Sequence, residues 1–278
     1  MLSVRDVKRK IRSVRNIEQI TRAMRTVASV KLRRATARVR GARPYADKMA
    51  EMLAALGTLD IEHPLLELRP VRTLGVIPIS ADRGLCGSYN ANVIRAAVAA
   101  VRGARRAELI TVGRKVSDFA RRAGFSVRER LSPRGDEPGF MDLARVADAA
   151  AALYAAREWD AVEIIYTRFV SGMQAPVVSE RLLPLAPPPA APPGEFIFEP
   201  DAPALLAELL PRYVRTRVWT AVLDAVASEH AARVAAMGLA TDNAGELIES
   251  LTRQYNKARQ AGITRELIDI VGTAEALA

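Results

Sequence analysis

The 278-residue chain contains a single cysteine, Cys86, so no disulfide can form within it. One thiol in a chain of this length fits a reducing compartment. Histidine is almost as scarce: His63 and His230 are the only two, and with one cysteine they offer no metal-ligand spacing. Aromatic residues make up only 5%, and none lies in residues 1–44, so that stretch has no ring on which a base could stack. No run of about 18 uncharged apolar residues occurs, which excludes a helix spanning a membrane. The N-terminus opens on Arg5, Asp6, Lys8, Arg9 and Lys10 in place of an apolar stretch, so no secretory signal is expected. The phosphate-cradling patterns G-x-G-x-x-G and G-x-x-x-x-G-K-[ST] are absent, and there is no internal repeat.

What is present is helix-forming and unevenly charged. Hydrophobic residues reach 50% and charged residues 26%, enough for a folded core and too balanced for global disorder. The net charge is +10, yet residues 1–50 alone hold 15 Lys/Arg against Asp6, Glu18 and Asp47. That segment is either a solvated helix face or a surface facing an acidic partner: nucleic acid, anionic lipid or acidic protein.

Both ends read as halves of a coiled coil. Val4, Val7, Ile11, Val14, Ile17, Ile20, Met24 and Val27 follow steps of three and four, as do Ala244, Ile248, Leu251, Tyr255 and Ala258. Between Val14, Ile17 and Ile20 two steps of three occur in succession, which predicts local overwinding. The first helix starts at a Ser3–Asp6 cap and runs to about Gly57, kinked near Gly41–Pro44, a rod of roughly 80 Å. Asp201 and Pro203 mark a later helix start. Pro211 predicts a break, because proline inside a helix costs about 3 kcal/mol. A fresh helix from Arg212 to Ala276 would then be nearly ~100 Å long. Gly238 and Gly262, each costing about 1 kcal/mol in a helix, permit close helix approach or reflect tolerance.

The middle of the chain changes period. Strands are expected at 74–79, 108–112, 125–129 and 161–169, with helices at 90–101, 114–122 and 142–157 between them. This alternation predicts an open α/β sheet, mainly parallel, with an edge strand at 177–185. Ala186–Gly194, rich in proline, reads as an extended connection. The organisation expected is an N-terminal coiled-coil helix (1–58), a central α/β domain (59–200) and a C-terminal coiled-coil helix (201–278).

Asp82-Arg-Gly-Leu-Cys-Gly-Ser88 follows a strand and precedes a helix, where α/β folds bind phosphates. Without a phosphate fingerprint the turn reads as structural, with Gly84 and Gly87 supplying backbone freedom and Cys86 as a buried thiol. Two rival functions stand at this point: a basic coiled-coil protein gripping nucleic-acid phosphates, and an α/β enzyme using the 82–88 turn.

Three groups of residues resemble the γ subunit of F-type ATP synthases. Ile17-Glu-Gln-Ile-Thr-Arg-Ala-Met24, Val27-Ala-Ser-Val-Lys-Leu-Arg-Arg34 and Ala42-Arg-Pro-Tyr-Ala46 are similar to its start. Asp82-Arg-Gly-Leu-Cys-Gly87 resembles its central signature. Ala227-Ser-Glu-His-Ala-Ala-Arg233, Ala240-Thr-Asp-Asn-Ala-Gly245 and Tyr255-Asn-Lys-Ala-Arg-Gln-Ala-Gly-Ile-Thr-Arg-Glu266 look like its C-terminal hallmark. The likeness runs in order over nearly the whole chain.

The resemblance implies an antiparallel coiled coil of the two termini around a central Rossmann-like open-sheet domain. It implies a central-stalk rotor that carries torque between the proton-driven c-ring and a hexamer of three α and three β subunits, and that influences ATPase activity and proton flow. On that basis the chain is expected to be a non-catalytic subunit with no cofactor, docked on the α, β and ε subunits and the c-ring. It would bind no nucleic acid and lie peripherally at the cytoplasmic face of a bacterial plasma membrane. Carried over from the family's motifs, Met24, Arg259, Gln260, Thr264 and Glu266 would contact β subunits, and the basic N-terminal helix would face an acidic β loop. The charge-free Ile270–Ala274 stretch would slide against a bearing surface. The inserted cysteine pair of redox-regulated members is absent, so no thiol switching is expected.

Overall fold

A computed structural model of the chain describes residues 4–56, 63–132, 139–170, 175–185 and 201–275. The Ser3 cap and the Ala186–Gly194 connection expected above lie outside these residues. Two compact units form: Met1–Ala28 with Arg233–Ala278, and Ser29–Ala232.

Helix α1 spans Val4–Leu56, followed by a 3-10 turn at Pro64–Leu66. Then come β1 (Thr73–Pro78), α2 (Tyr89–Gly103), β2 (Arg106–Val112), α3 (Arg114–Arg122) and β3 (Val127–Leu131). Helix α4 (Phe140–Ala155), β4 (Ala161–Thr167), β5 (Val177–Leu183) and α5 (Ala202–Glu275) complete the order. The sheet order is β3-β2-β1-β4-β5, parallel throughout except for β5, which pairs antiparallel to β4 at one edge. Parallel strands need both faces covered, which is why β1 and β4 are almost continuously apolar.

Within Ser29–Ala232 the alternating side chains of the strands build two cores. Leu74, Val76, Leu109 and Ile165 meet Val93 and Ala97 of α2 and Ala120 of α3. On the other face Ile77, Ile110, Val162 and Ile164 meet Leu143, Val146 and Ala150 of α4, together with Met49 and Leu53 of α1 and Leu206, Leu210 and Val214 of α5. Gly75 has a steric reason: a Cβ there would lie 2.0 Å from Cε3 of the fully buried Trp159. Trp159 in turn donates from Nε1 to Glu108 Oε2 at 2.9 Å. Burial raises the Glu108 carboxyl pKa, but the hydrogen bonds from Trp159, Arg128 and Arg106 outweigh it and hold the group below its usual range.

The break expected at Pro211 does not occur; α5 runs through it, as α1 runs through Pro44. Proline there removes one backbone donor, but Leu206, Leu209, Leu210, Tyr213 and Val214 are all buried around it. Each such burial contributes roughly 1.5–3 kcal/mol, together well above the local penalty.

In the unit formed by Met1–Ala28 and Arg233–Ala278, α1 and α5 pack antiparallel. The Thr241 hydroxyl donates to Thr21 Oγ1 at 2.8 Å, and Gly238 lies opposite Arg25. On α5 the expected seam holds, with Ala244 and Leu251 buried and Ile248, Tyr255 and Ala258 half-buried. On α1 the seam differs from expectation. Val7 is buried, and Val4, Ile11 and Val14 are half-buried, but Ile17, Ile20 and Val27 are 50%, 59% and 54% exposed. The covered line passes through Glu18, Thr21, half-buried Met24 and Ala28, in steps of three and four. Nor does close approach account for the glycines. A Cβ at Gly238 would meet Arg25 at an ordinary 3.7 Å, and one at Gly262 would meet nothing within 4 Å.

Candidate functional site

Two places warrant comparison: the turn after β1 and the surface of the helix pair. The turn sits where the chain leaves β1 between β2 and β4, the position at which open α/β sheets bind ligands. Its polar groups are turned inward on the protein itself. Asp82 Oδ1 accepts the Arg114 N–H at 2.7 Å and the Ser132 hydroxyl at 3.0 Å. Ser80 Oγ accepts the Val116 N–H at 2.9 Å. The first turn of α3, which could cradle a phosphate, is therefore already capped by side chains.

Asn90 closes the other side of the turn. Its Oδ1 accepts from Ala81 N–H at 3.0 Å, and its Nδ2 donates to Arg83 O at 3.3 Å and Cys86 Sγ at 3.1 Å. Gly87 adopts φ 58, a left-handed conformation that suits glycine, and Leu85 shares it at φ 61. Cys86 is buried with Ala81 and Tyr89 against Ala232, as a structural thiol would be. The signature stretch thus seats the turn on α5. Sequence reasoning identified the turn as structural but not Asn90, whose only signal was an amide one turn after the cysteine.

His63 is also structural: its Nδ1 accepts the Leu65 N–H at 3.2 Å and caps the 3-10 turn, and burial lowers its pKa. Among the described residues, no three His, Cys, Asp or Glu side chains converge as a metal would require. No helix among them is long and apolar enough to cross a membrane.

The helix pair presents the opposite character. Ile17, Ile20 and Val27, with half-buried Met24 among them, form an apolar stripe along one side of α1. On α5, Ile263, Leu267, Ile270 and Val271 are likewise exposed, at 49% to 63%. Large apolar side chains outside at helical spacing mark surfaces that meet another protein. Of the residues expected to contact partners, Met24 lies in the α1 stripe, while Arg259, Gln260 and Thr264 are exposed on α5 in the same unit. The side chain of Glu266 lies outside the described residues. The sequence had assigned Ile17, Ile20 and Val27 to the seam; strict continuation of the Val7–Val14 register would have found them outside.

A family model described as ATP synthase matches residues 3–277. The chain is 45% identical over 280 residues to the ATP synthase gamma chain of Desulfitobacterium hafniense, with both chains fully covered. It is 44% identical over 281 residues to that of Moorella thermoacetica, again covering both in full. Among solved structures it is similar to a chain of the Euglena gracilis mitochondrial ATP synthase rotor, with TM-score 0.70, 20% identity and coverage of 94% of this chain and 98% of that one. A chain in the OSCP/F1/c-ring assembly of the same enzyme gives TM-score 0.72 at 21% identity, covering 99% and 94%. These two share the fold of this chain. Identity of 44% and 45% over the full length of both chains, with a family model that matches residues 3–277, places the chain in the ATP synthase gamma chain family.

Proposed function

We propose that this chain is the central-stalk rotor subunit of an F1Fo ATP synthase. The observation that carries the reading is the full-length identity to ATP synthase gamma chains, which spans both long helices and the sheet. The chain turns inside a hexamer of α and β subunits and couples it to a proton-driven c-ring. It contributes no catalytic group; its part is mechanical. One chain cannot offer the same face to three equivalent β subunits, so at any moment it biases each toward a different conformation.

Several features support this. Paired helices resist bending and twisting where a flexible linker would not. The apolar stripes on α1 and α5 provide the contact surface, and Met24, Arg259, Gln260, Thr264 and Glu266 are the positions proposed to meet β subunits. The basic residues of α1 suit an acidic protein partner. The ε subunit and the c-ring dock elsewhere on the chain, and the assembly holds it at the cytoplasmic face of a bacterial plasma membrane as a peripheral subunit.

The test is reconstitution with the cognate α and β subunits. The purified chain alone is expected to hydrolyse no ATP and to join the hexamer in a single copy, read by native mass measurement. Failure to join, or tight and steeply salt-dependent binding to DNA instead, would overturn the reading.

A further inference from the structure

Within Ser29–Ala232, one face of α5 is tied to the sheet by a ladder of directional contacts. At its start Arg217 Nη2 donates to Glu180 Oε2 of β5 at 2.8 Å. The same carboxylate accepts the Tyr166 hydroxyl at 2.9 Å and is paired with Arg168, so it is fixed before Arg217 reaches it. Two turns on, the Asp224 carboxyl lies near enough to the Phe169 backbone N–H for that dipole to pull its pKa down against burial. One further turn along, the Ser228 hydroxyl donates to Thr167 O at 3.1 Å. Beside them the Tyr89 hydroxyl, at the start of α2, donates to Ala225 O at 3.1 Å. Positions 217, 224, 225 and 228 fall on one side of a helix.

The apolar packing along this stretch mixes small and large groups: Ala221, Ala225 and Ala227 are buried alongside Val218, Val222 and Leu223. Dispersion between these groups is non-directional and constrains the rotation of the helix less sharply than a hydrogen bond does. Hydrogen bonds do fix it. Turning α5 by one residue about its axis would move Arg217 and Ser228 off their partners at once and leave the buried Ser228 hydroxyl without Thr167 O. Ser228 is fully buried, and Thr167 nearly so.

We infer that this ladder is a torsion clamp, which locks α5 against turning on its own axis relative to the sheet. Within Ser29–Ala232, a rotation imposed on the sheet is thereby imposed on this stretch of α5. The inference rests on the rotor reading above and names where load passes between sheet and helix. Arg217, Glu180, Asp224, Ser228 and Tyr89 are positioning residues in this account; none touches a reacting atom.

The experiment uses the assembled F1Fo complex in inverted vesicles. Two versions of the chain are compared with the unsubstituted one: Tyr89→Phe with Ser228→Ala, which removes two hydroxyl donors without altering charge, and Glu180→Gln. ATP hydrolysis and ATP-driven proton pumping are measured on the same vesicles. The expected result is retained hydrolysis with protons pumped per ATP reduced at least about twofold. Pumping per ATP equal to the unsubstituted complex in the Tyr89→Phe, Ser228→Ala version would overturn the clamp, even if Glu180→Gln failed to assemble. A complex that neither incorporates nor couples through the unsubstituted chain would instead overturn the rotor reading and leave the clamp without its premise.

Discussion

The sheet-bearing unit and the helix pair are held by different kinds of force. In Ser29–Ala232 large side chains fill the core: Trp159, Tyr154, Ile77, Leu143 and Leu182 all have under 2% exposure. In the helix pair the buried side chains are mostly small or polar, such as Thr21, Ala28, Thr241 and Ala244, while Ile17, Ile20, Leu267 and Ile270 face outward. One unit places its apolar volume in its own core. The other keeps a thin seam and leaves its apolar volume for a partner. A single substitution should therefore cost much more in the first than in the second.

The sharpest way to break that contrast is at Trp159. Trp159→Ala removes a fully buried indole and leaves Glu108 without its Nε1 donor, so a loss of about 4 kcal/mol or more is expected. Urea unfolding of the isolated chain followed by circular dichroism measures it. A cost under about 1 kcal/mol would mean that the sheet core is as thinly packed as the helix seam.

Next comes acidity. Burial drives the Asp224 pKa up to about 6 from 3.8, against the pull of Arg43 and the Phe169 N–H. The folded state thus binds this proton more tightly than the unfolded one, so Asp224 removes stability as pH rises between about 4 and 6, and its cost is fully present at pH 7. Discounted for partial exposure, the effect is on the order of 1 kcal/mol. Asp224→Asn should keep an acceptor for Phe169, raise stability at pH 7 and flatten that part of the pH profile. Glu108 and Glu180 act with the opposite sign: their lowered pKa values lend stability that is lost as pH falls below the usual carboxylate range. Unfolding midpoints from about pH 3 to pH 8, with and without Asp224→Asn, separate the two contributions.

In the helix pair the corresponding contact is Thr241 to Thr21. Thr241→Val preserves shape and removes the shared hydroxyl contact, while Thr21 keeps its bond to Glu18 O at 3.0 Å, so the expected cost is at most about 1 kcal/mol. The same contrast explains what could be seen in the sequence. The strands were legible because β-branched, doubly buried runs such as Leu74–Ile79 carry one message only. The seam of α1 was less legible because two apolar stripes share that helix, one for α5 and one exposed. Counting apolar residues followed the exposed stripe from Ile17 onward, since Thr21 and Glu18 gave no apolar signal on the true line. Pro211 misled for a related reason: local propensity spoke for a break, while the burial that overrides it comes from elements distant in sequence. The inward-turned polar groups at 80–90 could not be read at all, because Ser80 to Val116 and Asp82 to Ser132 are meetings made only by the fold.

The smallest effect should also have the opposite sign. Gly262 is helical, and a Cβ there would meet nothing within 4 Å, so Gly262→Ala adds helix propensity without a clash. The gain is bounded by about 1 kcal/mol, equivalent to roughly fivefold slower amide exchange in the surrounding turns. Exchange followed by mass spectrometry over 255–270 would register it even where the global unfolding midpoint does not move. Ala at Gly238, where Arg25 stands at 3.7 Å, should give a similar gain. If both substitutions instead accelerated exchange, these glycines would be relieving a constraint between the helices, and the seam would be tighter than its small, partly polar side chains imply.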